Sequence, residues 1–157
     1  MMDNQDDIVE LLANNEDLIA ILYSTYAERI LGFQEFWTNL AAEGKEHAAG
    51  IRALKDRLKD GKVFVNRSRF QEEAINVFSK YLNGRIAEAK KSELSQLNAL
   101  SVAWDIENSV LEKKYFEVFA TDSVEIRQLL SKLEAETARH GKIIREAWGK
   151  HQPGFIV

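Results

Sequence analysis

The chain has 157 residues, 45% of them hydrophobic, which is long enough for one domain to bury a core without cross-links. It has no cysteine, so disulfides, thiolate iron–sulfur clusters, cysteine zinc sites and thiol nucleophiles are excluded, and any metal must be held by histidine and carboxylates. The 25 acidic and 21 basic residues are scattered, for a net charge of −4, and no apolar run is long enough to span a bilayer, so neither nucleic acid nor a membrane is an expected partner.

The N-terminal stretch MMDNQDDIVELL is acidic and lacks the basic start of a targeting signal, so a single cytoplasmic domain over residues 1–157 is expected. One proline, Pro153, and eight glycines leave long segments of good helix formers, so the fold class is all-α. A first helix is predicted over about 5 to 30, with Asn14-Asn15 as the place for a break. Val9, Leu12, Glu16, Ile19, Ala20, Tyr23, Ala27 and Ile30 lie on one of its faces, and a glutamate sits within that apolar stripe.

The second helix, about 33 to 59, carries Phe33, Trp37, Leu40, Gly44, His47, Ile51, Leu54 and Leu58 at the seam spacing of a bundle. The segment 62 to 70 has no helical period and is predicted to be an extended connection. An additional helix from about 70 to 90 uses Phe70, Ala74, Val77, Phe78, Tyr81 and Leu82.

A further helix, about 93 to 120, puts Leu100, Ala103, Trp104, Glu107, Val110, Leu111, Lys114 and Val118 on one face. Thr121-Asp122-Ser123 then signals the start of a last helix, 123 to 150, with seam residues Ile126, Leu130, Leu133, Thr137, His140, Ile144 and Ala147.

The chain therefore reads as two halves, each a helix with a buried-face glutamate followed by a helix with a buried-face histidine. His47 follows Glu16 by 31 residues and His140 follows Glu107 by 33. Glutamate is rarely buried without a partner, so these four residues are expected to meet at one level of the core.

Two stretches, LAAEGKEHAAGI at 40–51 and LEAETARHGKII at 133–144, repeat one frame and add Glu43 and Glu136, each one turn before its histidine. Four carboxylates and two imidazoles suit iron or manganese. Each repeated Glu-x-x-x-His reads either as a displaced ligand pair or as an ordinary contact between residues four apart on one helix.

NEDLIAILY at 15–23, FWTNLAAEGKEHA at 36–48, ENSVLEKKYF at 107–116 and LEAETARH at 133–140 resemble the rubrerythrin-like branch of the ferritin-like superfamily. The resemblance implies a four-helix bundle with a long crossover, here containing the extra helix. It also implies a di-iron site with Glu16, His47, Glu107 and His140 as ligands. The family's Glu-x-x-His places a carboxylate three residues before each histidine, where this chain has Gly44 and Thr137.

Two functions remain open on the sequence. One is a metal protein with one or two iron or manganese ions, resembling enzymes that reduce peroxide or dioxygen or oxidise ferrous iron, and fed by an external electron donor because no cysteine-ligated iron module is present. The other is a metal-free bundle serving dimerisation or partner binding, a homodimer being compatible with both. Tyr23 has two readings, a hydrogen bond to a ligating carboxylate or simple seam packing. Lys114 is placed to neutralise Glu107 or to snorkel outward. Trp37, Trp104 and Trp148 read as core or interface rather than an electron path.

Overall fold

The computed structural model describes residues 5–65, 72–109 and 116–151, without the side chains of residues 5, 6 and 116. Those residues form an all-α protein with one small strand pair. The elements are α1 (Gln5–Arg29), α2 (Gln34–Lys59), β1 (Phe64–Val65), α3 (Glu72–Lys91), α4 (Gln96–Glu107), a 3-10 turn (Phe116–Val118), β2 (Phe119–Ala120) and α5 (Val124–His151). None of the described helices is long and apolar enough to cross a membrane.

α1 runs unbroken through Asn14-Asn15, the one place where the sequence allowed a break. Asn15 is fully buried, and its amide donates to Ile75 O at 3.4 Å while Ser79 Oγ bonds its Oδ1, so it ties α1 to α3. All eight residues of the α1 stripe are buried. Ile8, Leu22 and Tyr26 are buried as well, because α1 packs along α2 on one side and against α3 on another. Gly32 adopts φ +88° in the turn out of α1, a conformation that glycine takes without a Cβ penalty.

α3 turns a slightly different face to the core than its sequence suggests. Ile75, Phe78, Leu82, Ile86 and Ala89 are buried at helical spacing, whereas Val77 is 61% exposed. Phe70 lies outside the described residues.

α4 is much shorter than the helix expected over 93 to 120. It starts at Gln96, where Ser95 caps it by accepting from Asn98 N at 3.1 Å. It ends at Glu107, where the Asn108 and Ser109 amides bond back to Trp104 O and Ile106 O. Glu107 is thus the last helical residue rather than a central one. Residues 110–115, including Lys114, lie outside the described set. Beyond them Phe119-Ala120 pairs antiparallel with Phe64-Val65 instead of continuing a helix, with Phe64 opposite Ala120. Phe119-Ala120 finds a strand partner in Phe64-Val65, and that tertiary pairing overrides the helical period there. Val118 is buried, but in the 3-10 turn.

α5 follows the expected pattern. Ser123 Oγ accepts from Ile126 N at 3.4 Å at its start, and Ile126, Leu130, Leu133, Thr137, His140 and Ile144 are all buried. The buried apolar residues of all the helices form one continuous core.

Candidate functional site

Glu16, His47, Glu107 and His140 are 1 to 4% exposed. At this depth each of these titratable residues must be charge-compensated or neutral. The His47 and His140 rings stack across α2 and α5, with centroids 4.9 Å apart and planes 28° from parallel.

Neither Glu-x-x-x-His is a contact within its own helix. His140 Nε2 meets Glu43 Oε2 at 2.6 Å, and His47 Nε2 meets Glu136 Oε2 at 2.8 Å, so each glutamate serves the histidine of the facing helix. The one-helix reading of the motif is therefore corrected. On each helix, Glu and His one turn apart face the same seam, and facing seams bring the two pairs together crosswise. Glu43 and Glu136 are about a third exposed on their side chains, at the rim, while the imidazoles lie inside.

The two pairs are not equivalent, because Arg139 also binds Glu43. Burial alone would raise the Glu43 carboxyl, but the bonds from Arg139 and His140 together outweigh it and hold the group below the usual carboxylate range. His140 is lowered from the ordinary imidazole value, first by burial and then by the adjacent His47, with Glu43 opposing. A neutral His140 donates its Nε2 proton to ionised Glu43, which leaves Nδ1 as an acceptor.

That Nδ1 lies 3.9 Å from Glu107 Oε1. The distance is too long for a hydrogen bond, and both atoms are acceptors. Glu107 Oε1 in turn accepts from the Tyr23 hydroxyl at 2.9 Å, which settles Tyr23 as a partner of the candidate carboxylate. Tyr23, Glu107, His140 and His47 thus form a continuous buried path from α1 through α4 and α5 to α2. Glu16 is buried on the same α1 stripe as Tyr23. Among the described residues, no three His, Asp or Glu side chains are gathered as a group that could hold an ion. The donors suit a transition metal in kind, while their placement is in pairs.

Gly44 and Thr137 have structural roles of their own. A Cβ on Gly44 would come within 3.2 Å of Ala20 Cβ and 3.6 Å of Ala20 Cα, so the missing side chain lets α1 and α2 approach. Any side chain at position 44 would require Ala20 to give way by a few tenths of an ångström. Thr137 Oγ1 donates back to Leu133 O at 3.0 Å.

On the α5 side, a cavity of about 320 Å³ is lined by Glu107, Asn108, Thr137, Gly141 and Arg145 among others. Sequence reasoning missed Arg139, Arg145 and the crosswise pairing, for which period alone carries no signal. The chain matches no family model, no curated protein and no solved structure.

Proposed function

We propose that the chain is a ferritin-like, rubrerythrin-like bundle whose core binds one iron or manganese ion between His47, His140, Glu16 and Glu107, and that it uses the ion for redox chemistry on peroxide or dioxygen. The observation that carries this reading is the pair of crossed His–Glu bonds. Each rim carboxylate engages Nε2, which fixes the tautomer and leaves Nδ1 as the ligating nitrogen, the role that outer carboxylates play for metal-bound histidines. Glu43 and Glu136 are then orienting residues rather than ligands.

One ion is favoured over two because positions 44 and 137, where bridging carboxylates would stand, hold a glycine packed on Ala20 and a threonine bonded to its own helix. The ion would supply one-electron chemistry and neutralise the buried carboxylates. The protein's part is to hold His140 neutral, to present Glu107 to the cavity beside Arg145, and to exclude bulk water. Electrons would come from another protein.

Cobalt(II) substitution tests the ligand set. Visible ligand-field bands are expected on addition to the metal-free protein, altered in His140→Gln and Glu107→Gln and retained in Glu43→Gln. Bands that ignore both core variants contradict it.

The second reading, a metal-free bundle that serves structure or partner binding, is favoured by one observation. The rim glutamates, both imidazole Nε2 atoms, the Tyr23 hydroxyl and Glu107 Oε1 all find protein partners, so these groups are paired without an ion.

A further inference from the structure

Away from the core pairs, residues of α1, α3 and α4 enclose a half-open cavity of about 300 Å³. Its inner wall is apolar, with Ala89 and Ala99 buried and Val102 half-buried. Its rim carries the exposed carboxylates of Glu88, Glu93 and Asp105 and a single cation, Arg85. That guanidinium is already engaged, since it donates to Glu88 Oε2 at 3.2 Å and lies 5.2 Å over the Tyr81 ring. Glu93 and Asp105 have no ion-pair partner among the described residues.

Carboxylates on a rim are ordinarily just solvated, so the observation that points to a ligand is Tyr26. It lines the cavity yet is only 2% exposed, with its ring centroid 4.9 Å from that of Trp37 and 6.4 Å from that of Tyr23 on the core side. Its hydroxyl has no hydrogen-bond partner among the described residues. A phenol this deep ordinarily has one, and the side open to this one is the cavity. Burial pushes the phenol up from its ordinary value, so it keeps its proton at neutral pH and remains a donor.

An oxyanion here would face three carboxylates with the guanidinium committed, so the charge that the rim selects is positive. We propose that the cavity binds a small primary amine with an apolar body and a hydrogen-bond acceptor at its far end. The ammonium meets Glu93 and Asp105 at the rim, the body rests on Ala89, Ala99 and Val102, and the acceptor receives the Tyr26 O–H. A volume of about 300 Å³ suits a molecule of one ring or a short chain, at the small end of ligand sites. The site needs no ion in the core and does not depend on the metal reading.

Tyramine is the probe, because it carries an ammonium and a phenol oxygen at opposite ends of one ring. Phenethylamine lacks the oxygen, and para-hydroxyphenylacetate exchanges the ammonium for a carboxylate. Amide resonances of the isotope-labelled chain are followed while each is titrated in. Tyramine should move the amides of Ala89, Asn98 and Ala99 with a Kd of about 1 mM, as expected of a ligand with so few atoms. Phenethylamine should bind about fivefold more weakly, the worth of one hydrogen bond, and para-hydroxyphenylacetate should leave these amides in place. Tyr26→Phe keeps the ring packing; it should lower tyramine to the affinity of phenethylamine and leave phenethylamine unchanged. Glu93→Gln with Asp105→Asn, both at exposed positions, should weaken both amines by about threefold or more. Circular dichroism of each variant confirms that it is folded. Tyramine that moves none of these amides overturns the proposal, as does tyramine that binds folded Tyr26→Phe or the double carboxylate variant as tightly as the wild type. Binding of para-hydroxyphenylacetate as tight as that of tyramine would make the cavity an anion site and overturn it as well.

Discussion

Glu43 on α2 bonds His140 on α5 through Oε2 and Nε2 at 2.6 Å, across 97 residues of sequence, although its nearest histidine in the chain is His47, one turn away on the same helix. Energetic coupling should follow the bond and not the spacing. A double-mutant cycle of Glu43→Gln with His140→Gln should give about 1 kcal/mol, at the low end for a charged bond because Glu43 is partly exposed. The same cycle with His47→Gln should give less than about 0.5 kcal/mol. Equal coupling in both cycles would mean that the glutamate serves its own helix.

The Ala20–Gly44 contact predicts opposite signs for two glycine-to-alanine changes. Gly44→Ala gains helix propensity of about 0.5–1 kcal/mol but meets the Ala20 Cβ at 3.2 Å, a methyl with no rotamer to change that can give way only if α1 shifts. Overpacking of about 1–3 kcal/mol should win, so the variant melts lower. Gly84 on α3 is exposed, with nothing within 4 Å of its Cβ direction, so Gly84→Ala should melt higher. A Gly44→Ala protein as stable as Gly84→Ala would show that α1 and α2 are not in tight contact there.

Asn15→Ala separates a helix interruption from a tie between helices. Were the residue merely a poor helix former, alanine would stabilise by up to about 0.7 kcal/mol. Because its buried amide holds Ile75 O and Ser79, a loss of about 1–3 kcal/mol is expected in urea denaturation. A gain would contradict the α1–α3 tie.

In chelator, stability should fall as pH drops below about 6.5. His140 has a folded pKa below its unfolded value, so the unfolded chain binds more protons between the two and stability declines through that window. Glu43 is also lowered, so its contribution is present above its unfolded value of 4.5 and disappears as pH falls through the folded one. Urea midpoints from pH 8 to 4 should therefore decline in two stages. His140→Gln should remove the upper stage and shrink the lower one, because its bond helps to hold Glu43 down, and an unchanged upper stage would assign it to another group.

The stripes of α1, α2 and α5 were legible because burial on one side imposes a 3.6-residue period, and Glu16, His47 and His140 stood out as polar residues inside it. The second face of α1 was not legible. Tyr26, Leu22 and Ile8 are buried off the predicted stripe, and the docking of both α2 and α3 on α1 is a tertiary fact. Likewise Glu107 was read correctly as buried but set in the middle of a helix, whereas α4 ends on it, and an apolar period alone does not say where a helix stops. Glu43 and Glu136 were recognised as a repeated element, while their partners depend on the register of α2 against α5, which no spacing within one helix encodes.

The central claim, an ion in the core between His47, His140, Glu16 and Glu107, is tested most directly by counting metal. Metal-free protein is dialysed against excess manganese(II) or, anaerobically, iron(II), then passed through a desalting column and submitted to elemental analysis beside Glu107→Gln and a His47→Gln, His140→Gln double variant. About one ion per chain is expected in the wild type, less in Glu107→Gln and none in the double variant, because the imidazoles and buried carboxylates are the donors that oxygen-and-nitrogen-seeking cations need. A wild type with no bound ion, or a double variant that keeps a full one, would contradict the claim.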